Sequence, residues 1–218
     1  MITATITLNG VTVKKPLPID WPQVTFGQFL QIADCGRDFV KIISVFTGID
    51  AETLTKAKIT GLDRIISAMA FLETNVTVFD FPKEILGYKV PQNLEFETMG
   101  QYADFKSEVD KDKKDKLDSV KSYPLFCAIY TSNPYNFKQA EERAKEFLQA
   151  PCTEVMAIGN FLLMKLAALK INGLKGSLKA NTPQTKSKRV LKNLVKRSGS
   201  IRLLSTLKKK RARKGKNS

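Results

Sequence analysis

The sequence contains no histidine, and this absence excludes several common kinds of site. Without imidazole the chain cannot form a Ser-His-Asp or Cys-His nucleophile or a histidine-ligated zinc site, and no side chain ordinarily titrates near neutral pH. The aspartates are scattered over predicted loops and helix faces, and none forms a spaced pair typical of metal ligands. We therefore predict a protein that is not an enzyme and that binds no metal or cofactor.

Cysteine is also scarce. Cys35, Cys127 and Cys152 are the only three, and no two are spaced as in a CxxC motif. An odd number of isolated cysteines does not indicate a disulfide framework or a cysteine-ligated zinc site. We predict that all three are reduced thiols in the core of a protein that folds in the cytosol.

Long apolar runs and phosphate-binding glycine loops are missing as well. No stretch approaches the roughly 18 consecutive apolar residues that indicate a membrane-spanning helix. The N-terminus lacks the basic and apolar regions of a signal peptide. The glycine pair Gly173 and Gly176 lacks the Gly-Lys-Ser/Thr ending of a phosphate-binding loop. These absences predict a chain without a membrane span, a secretion signal or a nucleotide site.

Acidic residues are absent from the end of the chain. The last one is Glu154, and from Asn172 onward the sequence has 16 Lys or Arg and no Asp or Glu. The preceding part has 20 basic against 21 acidic residues, so the last 47 residues carry the whole positive excess. A segment of this composition repels itself and cannot build a core. We predict a basic extension that binds an anionic partner.

Two short apolar stripes interrupt this basic extension, one on each side of Ser198-Gly199-Ser200. Their spacing predicts two basic amphipathic helices joined by a hinge. The predicted phosphate-binding residues are the cations around the stripes: Lys186, Lys188, Arg189, Lys192, Lys196, Arg197, Arg202, Lys208, Lys209, Lys210, Arg211, Arg213 and Lys214.

Three kinds of partner fit such a basic amphipathic extension. Phosphate backbones would be bound by counterion release with little sequence preference. An anionic membrane surface would also accept the apolar stripes, and so would a partner protein with an acidic, apolar groove. No aromatic residue follows Phe161, so single-stranded bases have no side chain to stack on. We favour double-stranded DNA as the partner and rank membrane contact below it.

A short motif occurs twice in the chain. The sequence Thr-x-Gly-Gln-aromatic begins at Thr25 and again at Thr98. In each copy the threonine and the glutamine three residues later fit a capping box at the start of a helix. The neighbours recur too: Asn9-Gly10 and Gly87 fall in β-type stretches before the two copies, and apolar helical stretches follow both. We predict a diverged internal duplication.

The fold class predicted from these patterns is mainly α with short β-hairpins. It consists of two diverged α-helical repeats, each preceded by a β element, plus a basic C-terminal extension. Repeat one spans residues 1–82, repeat two 83–171, and the basic amphipathic tail 172–218. The charged run Glu108–Asp118 is predicted to be an insertion in repeat two.

The apolar periodicity predicts most helices of both repeats. A helix over Leu62–Glu73 would have almost no polar face, so we expect this segment to lie in the core. Thr153–Leu169 is expected to be the longest apolar helix. The other predicted helices are Gly27–Asp34, Phe39–Thr47, Ala51–Ala57, Met99–Val109, Val120–Tyr130 and Asn136–Gln149.

Several segments resemble a family of tailed-bacteriophage proteins found among crAss-like phages. Trp21, Val24, Thr25 and Gln28 match the family's W-x-x-[IV]-T-x-x-Q entry, and Phe46-Thr47-Gly48-Ile49 is similar to its LTGI segment. Gly87-Tyr88-Lys89 departs in order from its G-K-x-Y strand. The resemblance covers about residues 3 to 170 and leaves out the basic tail.

The resemblance implies a protein associated with the virion or with tail assembly. We expect a non-enzymatic structural protein, packaged as internal cargo near the portal or tail, whose basic tail binds genomic DNA. The alternative is a tail or head assembly chaperone or scaffold factor that is absent from the mature particle. The implied partners are portal, tail or capsid subunits and further copies of the chain. The implied location is the capsid interior or tail, with the host cytoplasm during assembly.

Overall fold

The computed structural model describes residues 1–76, 80–92, 95–115 and 119–177. Within these residues the protein is mainly α-helical with small antiparallel sheets, as the sequence predicts. The 13 predicted phosphate-binding residues, from Lys186 to Lys214, all lie outside the described residues. The predicted boundaries after residues 82 and 171 stay predictions.

A hairpin opens the chain at the turn that the sequence marks. Strands β1 (Ile2–Leu8) and β2 (Val11–Leu17) are antiparallel, and Asn9 and Gly10 between them have φ of 49° and 80°. Two consecutive left-handed residues form the type I′ turn that matches the twist of paired strands. Strand β3 (Lys58–Thr60) pairs with the other edge of β1, which gives the order β2-β1-β3.

A second, shorter hairpin precedes the second motif. It consists of β4 (Glu84–Ile85) and β5 (Tyr88–Lys89). Leu86 and Gly87 in its turn have φ of 50° and 82°, so the backbone repeats the left-handed pair of the first hairpin. Ile85 is buried and attaches this hairpin to the core.

Four helices follow the first hairpin, and side-chain caps fix where three of them begin. Thr25, Asp38 and Asp50 accept hydrogen bonds from first-turn N–H groups, which removes unpaired donors. Gly48 ends the second helix in the left-handed conformation. The helices are α1 (Phe26–Cys35), α2 (Phe39–Thr47), α3 (Ala51–Thr55) and α4 (Leu62–Ala68).

The expectation that Leu62–Glu73 forms one core helix is wrong. Helix α4 ends at Ala68, and a 3₁₀ turn continues to Glu73. Ile65 and Met69 are buried, but Leu62 is 43% and Ile66 50% exposed. Only one side of this short helix packs on the sheet, so the apolar residues on its other side face solvent.

Four further helices form the second half of the protein. Asn136 caps the third of them, and the N–H of Gln139 donates to its side-chain oxygen at 3.1 Å. The predicted insertion Glu108–Asp118 is helical as far as Asp115. The long apolar helix ends eight residues beyond the predicted Leu169. The helices are α5 (Met99–Asp115), α6 (Tyr123–Tyr130), α7 (Phe137–Phe147) and α8 (Cys152–Ser177).

One buried cluster joins the two halves. The rings of Phe26 and Tyr123 stack with their centroids 6.4 Å apart, and Trp21 and Phe29 are buried in the same cluster. Helix α8 lies against the Tyr123 ring at Gly159, where an added Cβ would be 2.3 Å from a ring carbon. Close packing of this kind transmits any change of volume, so the halves share one core.

Candidate nucleic-acid interface

Helix α8 connects the core to the basic extension. Its buried residues recur at helical spacing, and Val155, Ile158, Leu162 and Leu166 are each no more than 4% exposed. The helix then continues to Ser177. At about 1.5 Å per residue, the 17 residues that follow Asn160 span roughly 25 Å. The predicted DNA-binding residues therefore follow a helix whose first half is firmly packed.

Several charged side chains on the surface of the described body form ion pairs. Lys106 Nζ lies 2.9 Å from Asp110 Oδ2, and Lys41 Nζ lies 3.5 Å from Asp38 Oδ2. Further pairs are Lys111 with Glu108 and Lys121 with Asp34. Exposed pairs stabilise a fold little, but they cancel the local field that would attract phosphate.

Hydrogen bonds shift the pKa values of two groups in these pairs towards the charged form. The hydrogen bond from Lys106 to Asp110 raises the pKa of the lysine ammonium. The pKa of Asp38 is lowered, chiefly by the hydrogen bond that it accepts from the backbone N–H of Lys41. Lys106 and Asp38 therefore stay charged across the neutral range.

Two of the three cysteines are inert thiols, as the sequence predicts. Cys127 and Cys152 are buried, and their Sγ atoms lie 3.8 Å from Val155 O and 3.2 Å from Trp21 O. Burial raises the pKa of both thiols, that of Cys152 to about 12. A thiol that stays protonated is a poor nucleophile and a poor metal ligand. Cys35 is also free, but it is only partly buried and packs against the edge of the core.

The polar contacts of the second half tie elements together. The hydroxyl of Tyr88 in β5 donates to Glu146 Oε2 in α7 at 2.8 Å, and the Arg143 guanidinium lies 4.9 Å from the centre of the Tyr88 ring. Tyr135 donates to Asp104 in α5.

Across residues 1–76, 80–92, 95–115 and 119–177, no group of three or more acidic or cysteine residues could hold a metal ion. No helix among the same residues is long and apolar enough to cross a membrane.

Both predicted capping boxes are present. Thr25 N–H donates to Gln28 Oε1 at 3.1 Å, and Gln28 N–H donates to Thr25 Oγ1 at 3.2 Å. In the second copy, Thr98 N–H donates to Gln101 Oε1 at 3.0 Å, and Gln101 N–H donates to Thr98 Oγ1 at 3.1 Å. The motif therefore begins a helix in the same way twice.

Sequence reasoning missed a second role for Gln101. This side chain is 1% exposed, and its Nε2 donates to Ile129 O at 3.1 Å and to Ser132 O at 2.8 Å. It joins the start of α5 to the end of α6. Gln28, at the same motif position, is only partly buried. The sequence offers no signal that separates the two glutamines.

Sequence reasoning also missed how the start of α1 is covered. Phe26 N–H donates to Ala150 O at 2.8 Å, and Gly27 N–H donates to Leu148 O at 2.7 Å. Thr25 and Pro151 form an antiparallel bridge. The glycine of the motif permits this approach, since a Cβ on Gly27 would lie 3.1 Å from Leu148 O. The first turn of α1 therefore bonds to the turn that follows α7 in the second half.

Comparison with protein-family models, with curated proteins and with solved structures found no match to this chain. The fold and the charge pattern are therefore the basis for a functional assignment.

Proposed function

We propose that this protein is a non-enzymatic bacteriophage structural protein that binds genomic double-stranded DNA through its basic C-terminal segment. The observation that supports the proposal is the separation of charge. The 171 residues before Asn172 carry 20 basic and 21 acidic residues, whereas the segment from Asn172 onward carries 16 basic residues and no acidic one. The body serves for packing against proteins, and the segment serves for contact with phosphate.

Binding of this kind depends on counterions and not on base sequence. Each phosphate that a Lys or Arg neutralises releases condensed cations, and affinity falls as salt rises. The segment contains no aromatic residue for stacking and no acidic residue to accept from bases. We therefore expect similar affinity for unrelated duplexes.

The test replaces six cations of the segment by glutamine in the full-length protein: Lys208, Lys209, Lys210, Arg211, Arg213 and Lys214. The matched control replaces six exposed lysines of the body: Lys14, Lys56, Lys58, Lys83, Lys89 and Lys138. Fluorescence anisotropy with a labelled duplex should show at least about a hundredfold loss of affinity for the first variant and a much smaller loss for the control. Equal losses would contradict the proposal.

The virion location rests on the resemblance to tailed-phage proteins and is tested separately. Mass spectrometry of purified particles should find peptides of this chain at portal stoichiometry or above. An assembly factor is the second candidate, and the exposed surface at the start of α5 favours it, because Met99 there is 78% exposed. Presence in infected cells together with absence from particles would establish that alternative.

A further inference from the structure

The three-stranded sheet turns one face to the core and the other to solvent. Because successive side chains of a strand point to opposite faces, the buried Ala4 and Ile6 of β1 place Thr3, Thr5 and Thr7 on the solvent face. Cross-strand partners share a face, so the strand register assigns the other residues of this surface. Besides the three threonines of β1, this surface, the threonine face, carries Thr12, Lys14 and Pro16 of β2 and Lys58 and Thr60 of β3.

The register also fixes where the two lysines stand relative to the threonines. Two rows of three residues cross the strands at this face: Lys14-Thr5-Thr60 and Thr12-Thr7-Lys58. The rows are about 7 Å apart along the strands, and neighbouring strands are about 4.8 Å apart. The two lysines therefore occupy opposite corners, with their Cα atoms roughly 12 Å apart. Threonine hydroxyls fill the space between these two cations.

The three-stranded sheet has no acidic residue, although the half that contains it has many. Residues 1–19 and 53–62 contain four lysines and no Asp or Glu, whereas residues 1–82 contain eight acidic residues. Several lysines elsewhere on the body pair with carboxylates. Among the residues that the structure describes, none of the four lysines at the sheet has an ion pair. No adjoining carboxylate therefore cancels their attraction for an anion. The four are Lys14, Lys15, Lys56 and Lys58.

The outer edge of β2 disfavours a further strand, which leaves the face for a partner. In a two-residue hairpin the residues that flank the turn form a hydrogen-bonded pair, so Val11 and every second residue after it bond to β1. Pro16 falls at an alternate position, where an N–H would point outwards, and proline has none. Lysines on an edge strand also oppose pairing with another strand. A partner therefore meets side chains rather than backbone groups.

The side chains of the threonine face suit phosphate better than a protein surface. The core of a protein interface is apolar and enriched in aromatic residues, whereas this face has no aromatic or large aliphatic residue. Lysines and hydroxyl groups are common donors to the phosphate oxygens of DNA. A duplex carries one phosphate per about 1.7 Å of its axis, so a stretch as long as the distance between the two lysines carries roughly seven. Both lysines can therefore contact the same stretch of duplex.

We propose that the threonine face is a second phosphate-contact surface for the duplex that the basic C-terminal segment binds. Lys14 and Lys58 neutralise phosphates, and the threonine hydroxyls between them donate to phosphate oxygens. The inference rests on the proposed DNA binding and adds to it a contact made by the folded body. Both lysines belong to the six-lysine body control, so they account for the smaller loss of affinity expected there.

The first test compares two double variants of the full-length protein that remove the same charge. Lys14→Gln with Lys58→Gln changes the threonine face, and Lys83→Gln with Lys138→Gln changes two exposed lysines elsewhere on the body. At about 0.1 M salt, fluorescence anisotropy should show about tenfold weaker binding of a labelled duplex by the face variant, with a salt slope flatter by about two. The control should keep the slope of the unaltered protein. Equal slopes in the two variants would refute the proposal and leave an acidic protein as the partner that fits this face.

A second variant changes the face and keeps both lysines. Thr5→Glu places a carboxylate directly opposite Lys14, where a cross-strand pair of opposite charges favours the sheet, so the variant should fold normally. The carboxylate neutralises Lys14 and repels phosphate, and binding of the duplex should weaken about as much as in the double lysine variant. Unchanged DNA affinity of Thr5→Glu, with its melting temperature preserved, would exclude this surface.

The results separate this inference from the proposal for the basic segment. If the face variants bind as the unaltered protein does while the six-cation variant loses binding, only the face contact is wrong. If the face variants flatten the salt slope and the six-cation variant does not, the face contact stands and the proposal for the basic segment fails. A full-length protein that binds no duplex at low salt would overturn both.

Discussion

The starts of α1 and α5 carry the same local sequence, but they differ in what surrounds them. Both have a capping box with bonds between 3.0 and 3.2 Å. Around α1, the turn after α7 bonds to Phe26 and Gly27, whereas around α5 the side chain of Gln101 is buried against the end of α6. The motif therefore determines how each helix begins, while distant packing determines what the helix start binds.

The largest loss of unfolding free energy is expected at Gly159, a position where the two halves of the chain carry different residues. Gly159 of α8 corresponds to Met69 after α4, and both positions are buried. Gly159→Ala would place Cβ 2.3 Å from a carbon of the Tyr123 ring, so the ring or the helix must move. We expect the free energy of unfolding to fall by about 3 kcal/mol. Urea denaturation measures it, and a loss below about 1 kcal/mol would show that Tyr123 moves freely.

The two motif glutamines give the next contrast. Gln101→Ala removes the bond from Thr98 N–H to Gln101 Oε1 and leaves the buried carbonyls of Ile129 and Ser132 without the Gln101 amide. The expected loss of unfolding free energy is about 3 kcal/mol or slightly less. Gln28→Ala removes only the bond from Thr25 N–H to Gln28 Oε1 and should cost about 1 kcal/mol or less. Equal losses in parallel urea titrations would mean that burial of Gln101 contributes little.

The two motif glycines should respond with opposite signs. Gly27→Ala brings Cβ to 3.1 Å from Leu148 O and should destabilise the protein by about 1 kcal/mol. Gly100→Ala meets no such obstacle in its own chain and should stabilise the monomer by up to about 0.5 kcal/mol, because alanine favours a helix. Thermal unfolding at low protein concentration measures both changes. Changes of the same sign would remove the distinction between the two helix starts.

An effect of similar size to that of Gly27→Ala concerns Tyr130, which corresponds to Phe46 in the first half. Its hydroxyl donates to Pro91 O at 2.8 Å, and burial raises its pKa to about 12. A raised pKa means that the folded state prefers the protonated phenol, so stability is full below about pH 10 and falls as pH rises towards 12. Tyr130→Phe should cost about 1 kcal/mol at pH 7 and should make the alkaline loss smaller. An unchanged alkaline profile in this variant would assign that loss to other groups, such as the Cys152 thiol.

Short sequence patterns were sufficient to predict turns, helix caps and helix bounds that depend on neighbouring residues. Asn9-Gly10 predicted the first turn, the two Thr-x-Gly-Gln motifs predicted both capping boxes, and the bounds Phe39–Thr47 match α2. These features depend on residues within a few positions of one another.

Sequence patterns failed where distant parts of the chain decide the outcome. The apolar residues of α4 predicted a core helix, but too few elements surround it to bury Leu62 and Ile66. The bonds from α1 to Leu148 and Ala150 join residues more than a hundred positions apart, and no periodicity encodes them. The predicted phosphate contacts rest only on the amino-acid composition of the basic segment, and they stay predictions.

We propose that the basic C-terminal segment binds DNA through phosphate contacts alone, and the salt dependence of binding is the decisive test of this proposal. If six or more phosphates are engaged, the logarithm of the association constant should fall with the logarithm of salt concentration with a slope of about −5 or steeper. Replacing the six cations from Lys208 to Lys214 by glutamine should flatten that slope by several units. An unchanged slope in this variant would contradict the account, because another surface would then be binding the DNA.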